Sequence, residues 1–410
     1  MNLGDYVSIK LAKKEIKGTL LESYDKDVLL IKLDSGYNIG IPKLNVYGSR
    51  VIRKFKSEKK EFAIPKGTGK KKIGLIITGG TIASKLDSRT GAVKWITEVG
   101  EFAKYYPEIF EVVDVARIEM PFMIASESMT SEHWIKIAEI CQEILNDDID
   151  GVIVTHGTDF LHYTSAALSF MLNDLNKPVV LTYSQRSIDR ASSDANLNLR
   201  CAAKFAISDC AEVVLVGHAT SEDDFCYALR GTKVRKMHTS KRDAFKPINC
   251  EPVAKIYPNK IEFLSEYNAR RQGKAELDKK FNDKIVLVKF YPGQKPDILD
   301  YYASNYKGIV VEASGLGHLL VSESKNNWIP KLKKHIKNGF IVCAAPQPFY
   351  GRLNPKVYSN GRELIGAGVI FLEDMLPETA FVKLGWVLGH RNWNVKEKML
   401  ENISGEFNEF

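Results

Sequence analysis

Two threonines held in glycine-bearing turns are the residues of this chain best placed to do chemistry. The apolar run IGLII at 73–77 leads directly into TGGTIAS at 78–84, and GVIVTH at 151–156 leads into GTD at 157–159. Each arrangement sets a threonine, Thr81 or Thr158, just beyond a strand-like segment. In an open α/β sheet the crevice past the carboxyl ends of the strands is where ligands bind, and glycine allows the backbone to approach a ligand closely. A threonine hydroxyl is a weak nucleophile until a base or a neighbouring charge activates it. Asp159 stands beside Thr158, so the pattern points to one shared site and to nucleophilic attack on an amide.

The elements that must hold these turns follow a readable rhythm. Residues 4–55 alternate as short strands, GDYVSIKL, KEIKGTLLESY, DVLLIKLDSGYNIGIP and NVYGSRVIRKF, separated by Gly, Asp and Lys turns. That spacing predicts a small β-barrel of SH3-like size over 1–56. The charged, Pro- and Gly-containing stretch 57–72 reads as a linker. From 73 to 265 strand-like runs (IGLIITG, VVDVARIEM, GVIVTH, PVVLTYS, AEVVLVG) alternate with the helical patterns SEHWIKIAEICQEILND and TSAALSFMLNDL. This is the βαβ alternation of a parallel sheet covered by helices. A polar stretch at 266–284 precedes a second series over 285–410, with IVLVKFYP, GIVVEASG, WIPKLKKHIKNG, FIVCAAP and ETAFVKLGWVLG. The prediction is two α/β lobes behind a small β domain.

Composition narrows the class. The chain has 410 residues, 44% hydrophobic and 26% charged, enough for a large core divided into two or three domains. Its six cysteines form no CxxC pair and no zinc spacing, so they read as reduced core thiols of a cytoplasmic protein. No apolar run approaches the roughly 18–20 residues of a membrane span. Charge is concentrated: residues 1–72 hold 17 Lys and Arg against 8 Asp and Glu, a net of +9, which leaves −1 for the other 338 residues of a chain whose total is +8. Such an excess fits a solvated face with a lysine-rich linker, or attraction to a nucleic acid or an acidic partner. No GxxxxGK[ST] occurs, and KGTGKKK at 66–72 lacks the leading glycine of a phosphate-binding loop.

TGGTIAS together with THGTDFLHYTSAAL, in this order and about 75 residues apart, resembles the L-asparaginase and glutaminase family, and the likeness covers residues 71–410. Two further stretches, QRSIDRASSDANLNL (185–199) and GRLNPKVYSNGRELIGAGVIFLEDMLPETAFVKLGWVLG (351–389), look like the D subunits of archaeal glutamyl-tRNA(Gln) amidotransferases, as does the basic β domain in front. The resemblance implies an asparaginase-like, two-lobed parallel-sheet architecture preceded by the SH3-like domain. It implies Thr81 as nucleophile on the side-chain carboxamide of glutamine, with Thr158, Asp159 and Lys236 (in GTKVRKMHTSKRDAF, 231–245) as the supporting triad. A lysine beside a buried carboxylate and a hydroxyl stabilises the deprotonated oxygen. In ASESMT (125–130), Ser126 would bind the α-carboxylate of the substrate. Glu127 stands where bacterial asparaginases carry Gln and would add a second carboxylate near the α-ammonium.

The same resemblance implies a glutaminase that supplies ammonia for converting Glu-tRNA(Gln) to Gln-tRNA(Gln). No cofactor and no metal is expected in this chain; ATP and Mg²⁺, the kinase step and most tRNA contacts belong on a partner, the E subunit of the amidotransferase, with a D homodimer inside a D2E2 heterotetramer. The other reading is a free-standing L-asparaginase with an appended basic domain. The segment KLDSRTGAVKW (85–95) lacks the tyrosine that bacterial asparaginases use in their lid, and no residue is assigned that role. His156 is expected to be a hydrogen-bonded core residue, and SGLGH (314–318) to shape the second lobe.

Overall fold

Alternation at the N-terminus does produce a small sheet. The computed structural model describes residues 1–23, 25–35, 37–55, 69–86, 93–96, 105–190 and 192–408. Within it, β1 (Tyr6–Lys10), β2 (Glu15–Leu21), β3 (Val28–Lys32), β4 (Asn38–Pro42) and β5 (Gly48–Arg53) pair antiparallel in the order β4-β3-β2-β1-β5. A meander whose last strand returns to the first is the strand order of a small SH3-like barrel. Val7, Ile9, Leu20, Ile31 and Ile41 form its core, in keeping with side chains that change face at every residue. The expected linker at 57–72 falls for the most part outside the described residues.

The central sheet is built from apolar runs too continuous to have a wet face. In chain order its strands are β6 (Lys72–Ile77), β7 (Asp114–Glu119), β8 (Gly151–Thr155), β9 (Val179–Thr182), β10 (Val213–His218) and β11 (Cys226–Arg230). The hairpin β12 (Val234–Lys236) and β13 (Phe245–Pro247) stands apart, and β14 (Ala254–Ile256) and β15 (Ile261–Phe263) complete the sheet, whose order is β15-β14-β11-β10-β9-β8-β6-β7. β7, β6, β8, β9 and β10 are parallel, whereas β11, β14 and β15 are added in antiparallel succession, each reversed against the one before. The five βαβ strands form the parallel sheet that the sequence predicts, and an antiparallel extension is added at one edge. Only residues 219–225 separate β10 from β11, and a parallel return needs a crossover of a dozen or more residues.

Two layers of helix cover the sheet. α1 (Ser131–Leu145) and α2 (Leu161–Met171) pack against Ile76, Val152, Val154, Val179 and Leu181; α3 (Ala195–Ala206) packs against the alternate residues Ile73, Leu75, Ile77, Ile153 and Val180. Thr130 starts α1 through a reciprocal cap with His133, whose Nδ1 accepts from the Thr130 amide at 3.1 Å. The second lobe is a parallel sheet of β16 (Ile285–Lys289), β17 (Gly308–Ala313), β18 (Ile341–Pro346) and β19 (Ile370–Phe371) in chain order. Its helix α4 (Pro377–Leu388) shares a core with the first lobe, Phe170 stacking on Trp386 at 5.7 Å. Among the described residues, no helix is long and apolar enough to cross a membrane.

Candidate active site

The chain reverses its direction of travel across the sheet between β6 and β8. It passes from β6 outward to β7, then crosses back to β8 and continues through β9 and β10. Such a switch point opens a crevice at the carboxyl ends of the two central strands, and both threonine turns leave from those ends. Thr78 donates to the Thr155 carbonyl through its amide at 3.2 Å and its hydroxyl at 2.8 Å, tying the turns at their roots.

Glycine is required where the turns touch. Gly80 has φ 79° and ψ 176°, a region that side-chain-bearing residues hardly enter. A Cβ on it would lie 2.5 Å from both Cα and N of Gly157. Gly157 is in turn pressed on Ser126, whose Oγ would stand 3.0 Å from a Cβ there. Ser126 is buried, and its Oγ accepts from the Phe160 amide at 3.3 Å. The segments 78–84, 155–160 and 124–128 are thus layered on one another, which brings the loops of Thr81, Thr158, Asp159, Ser126 and Glu127 together.

Lys236 reaches the group from β12. Its Nζ donates to Thr158 Oγ1 at 2.8 Å and to Asp159 Oδ1 at 2.7 Å, while its own side chain is 10% exposed. The neighbouring cations are committed elsewhere: Lys233 to Asp374 at 2.7 Å, and Arg235 to Glu378 at 2.8 Å. The expectation of a buried carboxylate is corrected, since the Asp159 side chain is 61% exposed and open to a ligand. Glu127 is also exposed, on the turn Ser126–Ser128. A cavity of about 360 Å³ opens beside this turn, walled by Ser126, Glu127, Trp134, Tyr163, Phe281 and Phe381. A larger polar cavity, about 770 Å³, lies apart from these residues between Arg230, Tyr267 and the C-terminal Asn402–Asn408 segment.

His156 is a framework residue. It is fully buried, donates from Nδ1 to the Gly157 carbonyl at 2.7 Å and meets Thr164 Oγ1 at 2.9 Å, and burial depresses its pKa to about 4. His162, at the start of α2, is lowered to about 3, first by burial and then by Arg235 and Lys236. Of the segment 85–95, residues 87–92 lie outside the described set; 84–86 and 93–95 pair as a small hairpin. No group of three or more His, Cys, Asp or Glu side chains among the described residues is arranged to hold a metal ion. Glu378 carries no signal of its own in the sequence, and Arg235 reads there only as part of a basic loop. The one local signal is alternation along 233–236, because the partners lie more than 130 residues away.

A hydroxyl, a carboxylate and an ammonium within hydrogen-bond reach, beside a second threonine turn, can activate an oxygen nucleophile and hold a zwitterionic ligand. Comparison with known proteins agrees. The family model of the asparaginase N-terminal domain matches residues 72–269, that of the glutaminase/asparaginase C-terminal domain 284–399, and that of the GatD N-terminal domain 1–48. Among solved structures, the thermostable L-asparaginase from Thermococcus kodakarensis superimposes with a TM-score of 0.74 at 28% identity, covering 83% of this chain and all of that one. L-asparaginase I from Vibrio cholerae gives 0.70 at 27%, with the same coverage. The D subunit of glutamyl-tRNA(Gln) amidotransferase from Thermococcus kodakarensis is 47% identical across 99% of this chain and 94% of its own length. Its counterpart from Sulfolobus acidocaldarius is 41% identical across 100% and 92%. With all three parts of the chain matched and near-complete coverage at this identity, the chain belongs to the family of glutamyl-tRNA(Gln) amidotransferase D subunits.

Proposed function

We propose that this chain is the glutaminase component of a tRNA-dependent amidotransferase, releasing ammonia from glutamine for the conversion of Glu-tRNA(Gln) to Gln-tRNA(Gln). The observation that carries the reading is the Lys236 ammonium poised between Thr158 and Asp159, on a turn packed against the Thr81 turn through Gly157 and Gly80, in a member of this family. Thr81 Oγ1 adds to the side-chain carboxamide carbon of glutamine, its proton passing to Thr158 or to a water held there. An ammonium 2.8 Å from Thr158 Oγ1 favours the deprotonated oxygen and so makes it a usable base. Backbone N–H groups of the two glycine turns serve the oxyanion. The nitrogen takes up a proton and leaves as ammonia, and water hydrolyses the glutamyl ester. Ser126 and the two exposed carboxylates, Asp159 and Glu127, hold the α-carboxylate and α-ammonium.

The remaining assignments rest on family membership and chain chemistry. The E subunit of the amidotransferase is the partner, carrying ATP, Mg²⁺ and the main tRNA contacts; two copies of this chain form a homodimer within a D2E2 heterotetramer. The six free thiols fit the reducing cytoplasm as its location. The test is ammonia release from glutamine and from asparagine, by the chain alone and then with its partner and glutamyl-tRNA(Gln). Turnover on glutamine that rises with partner and charged tRNA is expected. Rapid asparagine hydrolysis indifferent to both would identify a free-standing asparaginase instead.

A further inference from the structure

Strand β12, with Lys233 just ahead of it, carries more positive charge than the site consumes. Lys233 and Arg235 project from one face and Lys236 from the other, as the two-residue period of a strand dictates. The first face is anchored on the second lobe. Lys233 Nζ meets Asp374 Oδ2 at 2.7 Å, Arg235 Nη2 meets Glu378 Oε1 at 2.8 Å, and Thr379 Oγ1 donates to the Thr232 carbonyl at 2.8 Å. The guanidinium of Arg235 also lies 4.2 Å from the ring centre of Phe349, itself a second-lobe residue. Glu378 sits in the first turn of α4, where the helix dipole favours a negative charge.

Resting on the glutaminase reading, we infer that Arg235 and Glu378 are positioning residues for Lys236, fixing its ammonium against Thr158 and Asp159 from the second lobe. The residue that must be placed within a fraction of an ångström is bonded in sequence to one that is clamped between a carboxylate and an aromatic ring. The pair meets at a single point, leaving Arg235 Nη1 and Glu378 Oε2 buried without a protein partner. A two-point fork would use both atoms, so a tighter geometry lies one guanidinium rotation away. A purely structural ion pair is the competing account, since buried pairs often add little to stability while their one-sided removal is costly.

The experiment measures glutamine-dependent ammonia release by the full chain with its partner, for R235Q, E378Q, R235Q/E378Q, R235K and K236M, with folding followed by circular dichroism. R235Q and E378Q are each expected to lower kcat about 10- to 100-fold, the scale of a misplacement near 1 Å. KM for glutamine should stay within about twofold, because binding groups are untouched. The double variant should be no slower than the slower single one, as members of one positioning unit are non-additive. R235K keeps the buried charge but loses the planar guanidinium that lies against Phe349 and should show the same loss in kcat, which keeps the test open if R235Q does not fold. Wild-type kcat in folded R235K and E378Q, with K236M inactive, would overturn the inference and leave the glutaminase reading standing. Turnover by K236M would remove the reading beneath it.

Discussion

Gly80→Ala isolates the contact that unites the two threonine turns. The added Cβ would lie 2.5 Å from Gly157 Cα and N and 2.8 Å from the His156 carbonyl carbon. Carbon contacts settle at about 3.5–4.0 Å, so the turns must part by roughly 1 Å, and every obstructing atom is backbone that cannot rotate away. Displacement of that size at a reacting centre costs on the order of 100-fold in rate, or about 2.7 kcal/mol of transition-state stabilisation. Strain at φ 79°, ψ 176° adds about 1–3 kcal/mol to the folded state, which lowers the melting temperature by only a few degrees in a chain of this length. The assay is kcat for glutamine hydrolysis beside a thermal melt. Gly273→Ala is the control, because Gly273 has φ +128° but nothing within 4 Å of the point where a Cβ would stand; it should lose some stability and no turnover. A Gly80→Ala protein turning over within about threefold of wild type would refute the reasoning, since a 1 Å shift predicts a far larger loss.

Thr81→Val and Thr158→Val keep shape while deleting one hydroxyl each; both should abolish glutamine hydrolysis with circular dichroism unchanged, and retained turnover in Thr81→Val would sink its assignment as nucleophile. Lys383→Met should destabilise by about 3–5 kcal/mol, because it strands a buried carboxylate: Lys383 and Glu406 are both fully buried and 2.6 Å apart. Thermal shift would read that loss, kcat of the folded fraction should not change, and Lys383→Met/Glu406→Gln should recover much of the stability. Stability should also fall with acid. His156, held neutral with its pKa depressed to about 4, leaves the unfolded chain binding the extra proton below about pH 6.5. Its contribution is therefore complete above that pH and lost as the pH falls toward 4, on the order of 3 kcal/mol. Urea unfolding at stepped pH measures the slope, and an imidazole signal of His156 titrating near the ordinary histidine value by NMR would contradict it.

Much of this architecture is legible because the signals are local. Runs such as LIIT and VIVT declare strands buried on both faces, and the apolar positions Trp134, Ile137, Ala138, Cys141 and Ile144 declare one stripe of a helix. The glycine turns are legible for the same reason: TGGT and HGT name places where the backbone must come close to something. What the sequence does not disclose is what lies on the other side. That Gly80 is packed on Gly157, and Gly157 on Ser126, is a fact about residues far apart in the chain. The antiparallel β11, β14 and β15 are hard to read from sequence because strands of three to five residues carry too few periods to register.

Charge is where local reading fails most. Lys233, Arg235, Lys236 and Lys241 look alike in a basic loop, and a lysine is ordinarily a solvated residue. In the fold, Lys233 is fully buried against Asp374, Arg235 is half-hidden against Glu378 and Phe349, and Lys236 faces the threonine turn. Strand periodicity sorts odd from even residues, but only tertiary partners decide which face receives the substrate. Burial opposes the charged form of Lys233 and lowers its pKa, with the ion pair to Asp374 acting the other way. A desolvated pair of this kind is poor at adding net stability and demanding about geometry, which suits a strand whose task is to stay in place. The second lobe thus contributes to the site from behind: its carboxylates fix the odd face of β12, and the even face delivers the ammonium to Thr158.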